Sequence, residues 1–155
     1  MTGMSAAASH CSYYHGPMAL DNDLRRGRHS VYDLHAHLVF VTKYRRRVFT
    51  AEHLSRLRAV FASVCCDAGA VLEEFNGEDN HVHLLVSFPP DVPVSRLVNS
   101  LKGVGSRRLR SEFPELEDMC WNGKKLWTPG YYAGTTGGAG IDTVRRYIEQ
   151  QDTPA

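Results

Sequence analysis

NHVHLLVSF, residues 80–88, is the most informative stretch of this sequence, because it alternates between apolar and imidazole side chains. Val82, Leu84 and Val86 fall on one face of an extended strand, and His81 and His83 fall on the other, since strand side chains alternate. An apolar face backed by a polar one is typical of a sheet that helices cover on one side. We therefore predict a strand here, with its two imidazoles facing away from the core.

The segments before this strand predict a hairpin. VLEEF, residues 71–75, is a second short strand. The turn residues NGED, 76–79, separate it from the histidine strand, and a turn rich in Asn and Gly is typical of a tight connection between antiparallel neighbours.

Two amphipathic helices flank the hairpin. The first follows Thr50, a good N-cap, and its apolar residues recur at steps of three and four until Gly69 closes it. The second runs from about 93 to 113. It contains Gly103 and Gly105, each of which costs roughly 1 kcal/mol relative to alanine unless close packing or a break requires it.

The remaining pattern completes an α+β domain. VYDLHAHLVFVTK, residues 31–43, predicts a strand, an extended segment lies within 121–138, and a last helix spans 141–151 after a glycine-rich hinge at 134–140. The order β-α-β-β-α-β-α predicts an antiparallel sheet with helices on one face, a split β-α-β or RRM-like (ferredoxin-like) fold. We expect residues 1–28 to form a flexible tail, 29–151 a single domain, and 152–155 a short C-terminal tail.

Composition excludes several classes of protein. The chain has 155 residues, 43% of them hydrophobic and 23% charged, which is typical of a globular domain rather than a disordered or fibrous chain. It has no apolar run of the roughly 18 residues needed to span a membrane and no secretory signal pattern, so we expect a cytoplasmic protein. Four cysteines without a CxxC pair are interpreted as free thiols.

Basic residues form three local clusters although the net charge is only +1. Arginine outnumbers lysine by 14 to 4, and the guanidinium fork binds phosphate bidentately. These clusters favour contact with a nucleic-acid backbone, and solvated helix faces are the alternative. The candidate DNA-binding residues are Lys43, Arg45, Arg46, Lys102, Arg107, Arg108 and Arg145.

Two pairs of residues carry the candidate chemistry. His81 and His83 lie about 7 Å apart along one strand face and can present nitrogens to one cation, although a surface pair is the alternative. Tyr147 and Gln151 are four apart on the last helix and share a face. A tyrosine oxygen can act as a nucleophile and a glutamine carbonyl as a hard ligand, although a partly buried aromatic beside a surface glutamine is the alternative.

A second HxH pair, His35 and His37, lies on the preceding predicted strand. Its strand has no companion of the Tyr147 and Gln151 kind. We interpret this pair as flanking the site or as plain surface.

The ordered set of these motifs resembles the single-tyrosine HUH transposases, small enzymes of bacterial insertion sequences that move as single-stranded DNA. The resemblance covers roughly residues 28–151. It rests on HLVFVTKYRRRVF (37–49), NHVHLLVSFPP (80–90), VSRLVNSLKGVGSRRLRSEFP (94–114), LWTPGYYAGTTGG (126–138) and TVRRYIEQQ (143–151).

The resemblance implies a mechanism and a role for each matching residue. His81 and His83 match the histidines that bind a divalent metal, Mg²⁺ or Mn²⁺, Gln151 matches the third ligand, and Tyr147 matches the nucleophile. It implies cleavage and rejoining of single-stranded DNA at hairpin-bearing element ends through a 5′-phosphotyrosine. It also implies a homodimer in which the tyrosine helix of one subunit can complete the site of the other. No membrane and no small-molecule substrate are expected.

Two other functions fit the same pattern. An HUH nickase for replication initiation or plasmid transfer would use the same chemistry on another substrate. A non-catalytic module would bind single strands on an RRM-like sheet, but such sheets use aromatic stacking, and histidines occupy the corresponding face here.

Overall fold

The computed structural model describes residues 25–26, 29–119, 125–135 and 141–151. The predicted tail 1–28, apart from one short strand, and the tail 152–155 lie outside the described residues, as does most of the predicted hinge. None of the described helices is long and apolar enough to cross a membrane. The elements are β1 Arg25–Arg26, β2 Val31–Tyr32, β3 His35–Val41, α1 Ala51–Asp67, β4 Val71–Gly77, β5 His81–Ser87, α2 Val94–Glu112, α3 Pro114–Met119, β6 Tyr132–Thr135 and α4 Ile141–Glu149.

Four strands form one antiparallel sheet in the order β4-β5-β3-β6. The predicted hairpin is present as β4 and β5, but β4 continues through Asn76 and Gly77, so the turn lies at 78–80 rather than 76–79. The first and last strands of the prediction pair with each other as β3 and β6. Val39 of β3 lies opposite His83 on β5 and opposite Tyr132 on β6. The α+β fold with an antiparallel sheet is confirmed.

One face of this sheet carries the core. Leu38 and Phe40 from β3 and Val82, Leu84 and Val86 from β5 are fully buried, as the alternation of the histidine strand predicts. They pack with apolar residues of α1 and α2 in one cluster. Because each buried aliphatic or aromatic side chain contributes about 1.5–3 kcal/mol, this face accounts for most of the packing that holds the sheet.

The first predicted strand, 31–43, is divided in the structure. Residues 31–32 pair with β1 in a separate two-stranded sheet. The strand that joins the central sheet begins only at His35. A 3₁₀ turn, Lys43–Arg45, follows β3, and both Tyr44 and Arg45 have positive φ, of 60° and 54°. Alternation alone cannot locate these breaks, because the change of pairing partner is a tertiary event.

The prediction of four free thiols is wrong for Cys66, which is disulfide-bonded. Its neighbour Cys65 is free and buried, and burial raises the pKa of its thiol to about 12. Successive helical residues point about 100° apart, so one of the two sulfurs lies in the core and the other near the surface. Cys11 and Cys120 lie outside the described residues.

The two glycines of α2 do not break the helix, which is continuous from Val94 to Glu112. Gly105 is buried against α1, where an added Cβ would lie 2.7 Å from Cε1 of Phe61 and 3.1 Å from Cδ1 of Leu57. Gly103 has no such neighbour, since its Cβ would meet only Nη1 of Arg107, at 3.6 Å. Close packing of α1 on α2 therefore explains Gly105 and not Gly103.

Gly105→Ala is expected to lower the free energy of unfolding by about 1–2 kcal/mol. Overpacking costs about 1–3 kcal/mol, and the better helix propensity of alanine returns up to about 1 kcal/mol. Gly103→Ala, the matched control, is expected to raise stability by up to about 1 kcal/mol. Urea denaturation of both variants measures the difference, and a Gly105→Ala variant as stable as Gly103→Ala would contradict this account of the helix contact.

Candidate active site

The face of the sheet opposite the core carries four histidines, and we call it the histidine face. His35 and His37 come from β3, and His81 and His83 come from β5. Residues opposite each other in an antiparallel pair share a face, and the register pairs Val39 with His83 and Val41 with His81. Both HxH motifs therefore project to one side, as the alternation predicts.

His81 is held in one tautomer by its neighbour. Its Nδ1 lies 2.8 Å from Oδ1 of Asn80, and a carbonyl oxygen accepts only from an N–H. The proton is therefore on Nδ1, and Nε2 carries a lone pair, which is how metal-binding histidines are commonly oriented. Burial lowers the pKa of His81 and outweighs the opposite effect of the nearby Glu78 and Asp79 carboxylates, so the ring is neutral at pH 7.

His83 is paired with His37, a contact that sequence reasoning did not single out. Nδ1 of His37 lies 3.0 Å from Nε2 of His83, and the ring centroids are 5.1 Å apart. Burial, with a smaller contribution from His37, lowers the pKa of His83. His37 was interpreted only as flanking or surface. The signal that finds it is the register, since His37 lies diagonally across from His83, within reach of a long side chain.

His35, the fourth histidine, contacts two carboxylates through its ring nitrogens. Its Nε2 lies 2.5 Å from Oδ1 of Asp33, and its Nδ1 lies 3.1 Å from Oε2 of Glu73 on β4. Both ring nitrogens are therefore engaged, and His35 links its strand to β4 rather than offering a lone pair to a ligand. It differs in this from the other three histidines of the face.

Tyr147 lies on the histidine face through its contact with Tyr132. The two ring centroids are 5.9 Å apart, and Tyr132 stands opposite Val39 in the same row of the sheet as His83. Adjacent strands are about 4.8 Å apart, so Tyr132 and His83 are about 10 Å apart across the sheet. Half-burial of Tyr147 raises the pKa of its phenol, which is therefore protonated at neutral pH.

Two glycines lie beside the hydroxyl groups of these tyrosines, and one of them, Gly134, leaves room that a Cβ would fill. Gly134 faces His37 across the sheet, and a Cβ there would lie 2.5 Å from the hydroxyl oxygen of Tyr132. Gly130 has a φ of +104°, and a Cβ there would lie 3.9 Å from the hydroxyl oxygen of Tyr147. The loop before β6 thus runs beside the Tyr147 hydroxyl, in a conformation that favours glycine.

Gln151 lies four residues after Tyr147 and two residues beyond α4, because the helix predicted over 141–151 ends at Glu149. Its Nε2 donates to the backbone carbonyl of Tyr147 over 2.9 Å. In the described part of the chain, no three His, Cys, Asp or Glu side chains converge in a way that could hold a metal ion. A cation at His81 and His83 would thus need other oxygen ligands, such as an amide carbonyl, water or phosphate.

The basic residues predicted to bind DNA occupy different settings. Arg107 and Arg108 on α2 and Arg145 on α4 are exposed. Arg96, Asn99 and Arg107 line an open groove of about 530 Å³ along the outer side of α2.

Three of the other four predicted DNA contacts have partners within the protein, whereas the buried Nε of Arg45 has no hydrogen-bond partner among the described residues. Arg46 donates from Nη1 to the carbonyl of Met119, and Nζ of Lys43 lies 5.2 Å from the ring centre of Tyr44. Arg45 is partly buried beside them. Lys102 donates from Nζ to the carbonyls of Thr128, at 2.8 Å, and Gly130, at 2.7 Å. DNA contact by these residues stays a prediction, and for Lys102 the structure supplies a second role.

Comparison with known proteins identifies the family. Residues 30–151 match the family model described as IS200-like transposase. The chain therefore belongs to the IS200-like transposases, a family of single-tyrosine HUH transposases. The resemblance inferred from the motifs is confirmed, and with it the class of a transposase.

Individual relatives agree with this assignment. The chain is 31% identical over 129 residues to the ISDra2 transposase TnpA of Deinococcus radiodurans, which covers 83% of this chain and 91% of that one. It is 28% identical over 123 residues to the transposase of insertion sequence IS200 from Salmonella typhimurium, covering 79% and 80% of the two chains.

Two solved structures share the fold. The crystal structure of a candidate transposase from Deinococcus radiodurans matches with a TM-score of 0.78 and 32% identity, covering 84% of this chain and 99% of that one. A REP-associated tyrosine transposase bound to a REP hairpin matches with a TM-score of 0.52 and 13% identity, over 81% and 68% of the two chains. At that identity the second likeness concerns the fold alone.

Proposed function

We propose that this transposase cleaves and rejoins single-stranded DNA at the ends of its insertion sequence, with Tyr147 as the nucleophile and a divalent cation at His81 and His83. The observation that carries the proposal is the contact between Tyr147 and Tyr132 on the histidine face, in the same row of the sheet as His83. A nucleophile and a pair of neutral imidazoles on one face are what a metal-assisted phosphoryl transfer needs.

The donor set fits Mg²⁺ or Mn²⁺. His81 offers Nε2, because its Nδ1–H donates a hydrogen bond to Oδ1 of Asn80. His83 offers Nε2 once it parts from His37, and Gln151 supplies an amide oxygen of the kind that hard cations accept. A bound cation would withdraw charge from the scissile phosphate and stabilise the charge that develops there.

In the proposed reaction the hydroxyl oxygen of Tyr147 attacks phosphorus. A bond forms between this oxygen and phosphorus, the bond from phosphorus to the 3′ oxygen breaks, and the phenol loses its proton while the 3′ oxygen gains one. The products are a 5′-phosphotyrosine and a free 3′-hydroxyl. Because a phosphoester replaces a phosphoester, a 3′-hydroxyl can reverse the step and rejoin strands without ATP.

The raised pKa of Tyr147 means that the phenol needs help at neutral pH. A neutral phenol is a poor nucleophile, so its proton must leave as the bond to phosphorus forms. Arg145 is exposed on the turn of α4 before Tyr147 and is proposed to contact the DNA backbone. Arg107 and Arg108 are proposed to do the same on α2.

A covalent-adduct assay tests the proposal. The purified protein is mixed with labelled single-stranded oligonucleotides from the ends of its element, in Mg²⁺, Mn²⁺ or EDTA. A hairpin-bearing end is the first substrate to try, since a transposase of the same fold has been seen bound to a hairpin. We expect a band shifted by 17.4 kDa on a denaturing gel, in either metal and not in EDTA.

The alternatives give different results in the same assay. A replication or transfer nickase would form the adduct on one origin-like sequence and would not join strands. A binding module would shift the oligonucleotide on a native gel without any adduct. The homodimer, a further part of the proposal, is checked by light scattering of the purified protein.

A further inference from the structure

Lys102 ties the helix layer to the loop that runs beside Tyr147. Its ammonium group donates to the carbonyl oxygens of Thr128, at 2.8 Å, and Gly130, at 2.7 Å. Its own backbone carbonyl accepts from the indole Nε1 of Trp127, at 3.2 Å. Lys102 therefore contacts three residues of the loop, Trp127 through its main chain and Thr128 and Gly130 through its side chain.

Hydrogen bonds to the end of β3 and the residues after it hold only the beginning of this loop, at 126–128. The amide of Lys43 donates to the carbonyl of Leu126, and the amide of Thr128 donates to the carbonyl of Val41, both at 2.8 Å. Beyond Thr128 the chain leaves this ladder and turns at Gly130 before it enters β6. The Lys102 ammonium is thus the contact that fixes Gly130, at the point where the loop departs from β3.

The position of Gly130 determines the immediate surroundings of Tyr147. The position of a Cβ on Gly130 lies 3.9 Å from the Tyr147 hydroxyl oxygen, and Tyr132, two residues later, contacts the Tyr147 ring. A displacement of Gly130 would therefore move both the neighbour of the hydroxyl and the ring on which Tyr147 packs. Near-attack geometry is sensitive to such shifts, since a misplacement of about 1 Å can cost a hundredfold in rate.

The setting of Lys102 is unusual for a DNA contact. The side chain is half-buried, and two of its three ammonium protons are used by the loop carbonyls. Arg107, five residues further along α2, is exposed and lines the outer groove. Lys102 and Arg107, two of the five basic residues of α2, therefore serve as a matched pair, one facing the loop and the other facing solvent.

We propose that Lys102 is a positioning residue for Tyr147, acting through the Thr128 and Gly130 carbonyls rather than by binding DNA. This inference rests on the proposed role of Tyr147 as the nucleophile. Removal of the ammonium group should slow the attack on phosphorus at saturating DNA and leave the affinity for DNA unchanged.

The test compares Lys102→Met with Arg107→Gln in the full-length protein. Single-turnover adduct formation is measured at saturating oligonucleotide, and the dissociation constant is measured by anisotropy at several salt concentrations. For Lys102→Met we expect a rate at least tenfold lower, with the dissociation constant within twofold of wild type and the same salt dependence. For Arg107→Gln we expect weaker binding and a shallower salt dependence, the changes that loss of a phosphate contact produces.

Two further variants separate positioning from folding. Lys102→Arg retains donors for the two carbonyls and should recover part of the rate. Gly130→Ala places a side chain at a φ of +104° and disturbs the loop from the other side, so it should also lower the rate without weakening binding. Thermal unfolding gives the folded fraction by which each rate is divided.

Three results would overturn the inference. If Lys102→Met weakens binding with a shallower salt dependence and reacts normally at saturation, Lys102 contacts DNA. If its rate per folded molecule equals that of wild type, the contact only stabilises the fold. If the wild type forms no Tyr147 adduct, the proposed function itself fails, whereas a normal wild-type adduct with a normal Lys102→Met rate removes this inference alone.

Discussion

Tyr147→Phe is expected to abolish the covalent adduct with single-stranded DNA, lowering its rate of formation by at least about a thousandfold. The substitution removes only the hydroxyl oxygen that we propose attacks phosphorus. The ring that packs on Tyr132 at 5.9 Å remains, so the fold and the affinity for DNA should be retained. The measurement is the denaturing-gel adduct assay, run beside a native binding assay on the same oligonucleotide.

Tyr132→Phe is the matched control for this substitution. Tyr132 lies on the same face and contacts Tyr147, but its hydroxyl stands over Gly134. It should form the adduct within a few fold of the wild-type rate. If Tyr132→Phe lost the adduct and Tyr147→Phe kept it, the nucleophile would be the other tyrosine.

The rate of attack should also rise with pH. Burial raises the pKa of Tyr147, so the phenolate fraction is small at neutral pH and grows about tenfold for each pH unit below that pKa. The rise should continue beyond the usual phenol range, and a rate that is level from pH 7 to 9 would mean that the phenol proton is not limiting.

His83→Ala is expected to lower metal-supported adduct formation by at least about a hundredfold, and His81→Ala should act in the same direction. Loss of a ligand removes much of the charge stabilisation that a cation gives the phosphate, which is worth several kcal/mol. Titration calorimetry with Mn²⁺ alone gives a readout that does not depend on cleavage. Both variants should bind Mn²⁺ far more weakly than the wild type.

His35→Gln is the control, since it changes a histidine of the same face whose ring nitrogens are held by Asp33 and Glu73. Its Mn²⁺ affinity and adduct rate should stay within a few fold of wild type. Equal losses of Mn²⁺ affinity and adduct rate in His35→Gln and His83→Ala would contradict a cation site at the β5 histidines.

The pH dependence of metal binding has a definite sign. A histidine binds a cation only when neutral, so affinity falls as pH drops through its pKa. Because burial lowers the pKa of His81 and of His83, the loss should occur below the pH at which an exposed histidine protonates. Calorimetry at pH 7, 6 and 5 measures where it occurs.

Several placements in the candidate site were predictable because their patterns are local. Alternation along 80–88 predicts that His81 and His83 share a face, as they do. A spacing of four predicts Gln151 one turn after Tyr147, although the structure ends the helix at Glu149, two residues before Gln151. The Thr50 N-cap and the glycine closure of α1 are likewise read from neighbouring residues, and the cap is present as a capping box with His53.

Contacts between distant segments were not predictable from those patterns. His37 and His83 are 46 positions apart, and their 3.0 Å contact depends on the register between β3 and β5. Lys102 was assigned to DNA because a cluster of basic residues surrounds it. Its loop partners are 26 and 28 residues away, and no property of the cluster distinguishes it from Arg107.

Residue order alone therefore predicted the main strands and helices, the faces on which their side chains lie, and the family to which the chain belongs, but not the break before His35 or the short helix α3. Strands and helices can be recognised in short segments of sequence, because their side chains repeat every 2 and every 3.6 residues. The tertiary structure decided which histidine meets His83, what Lys102 holds, and which side of the sheet Tyr147 joins. These depend on strand register and on loop paths, which are set by packing between segments far apart in the chain.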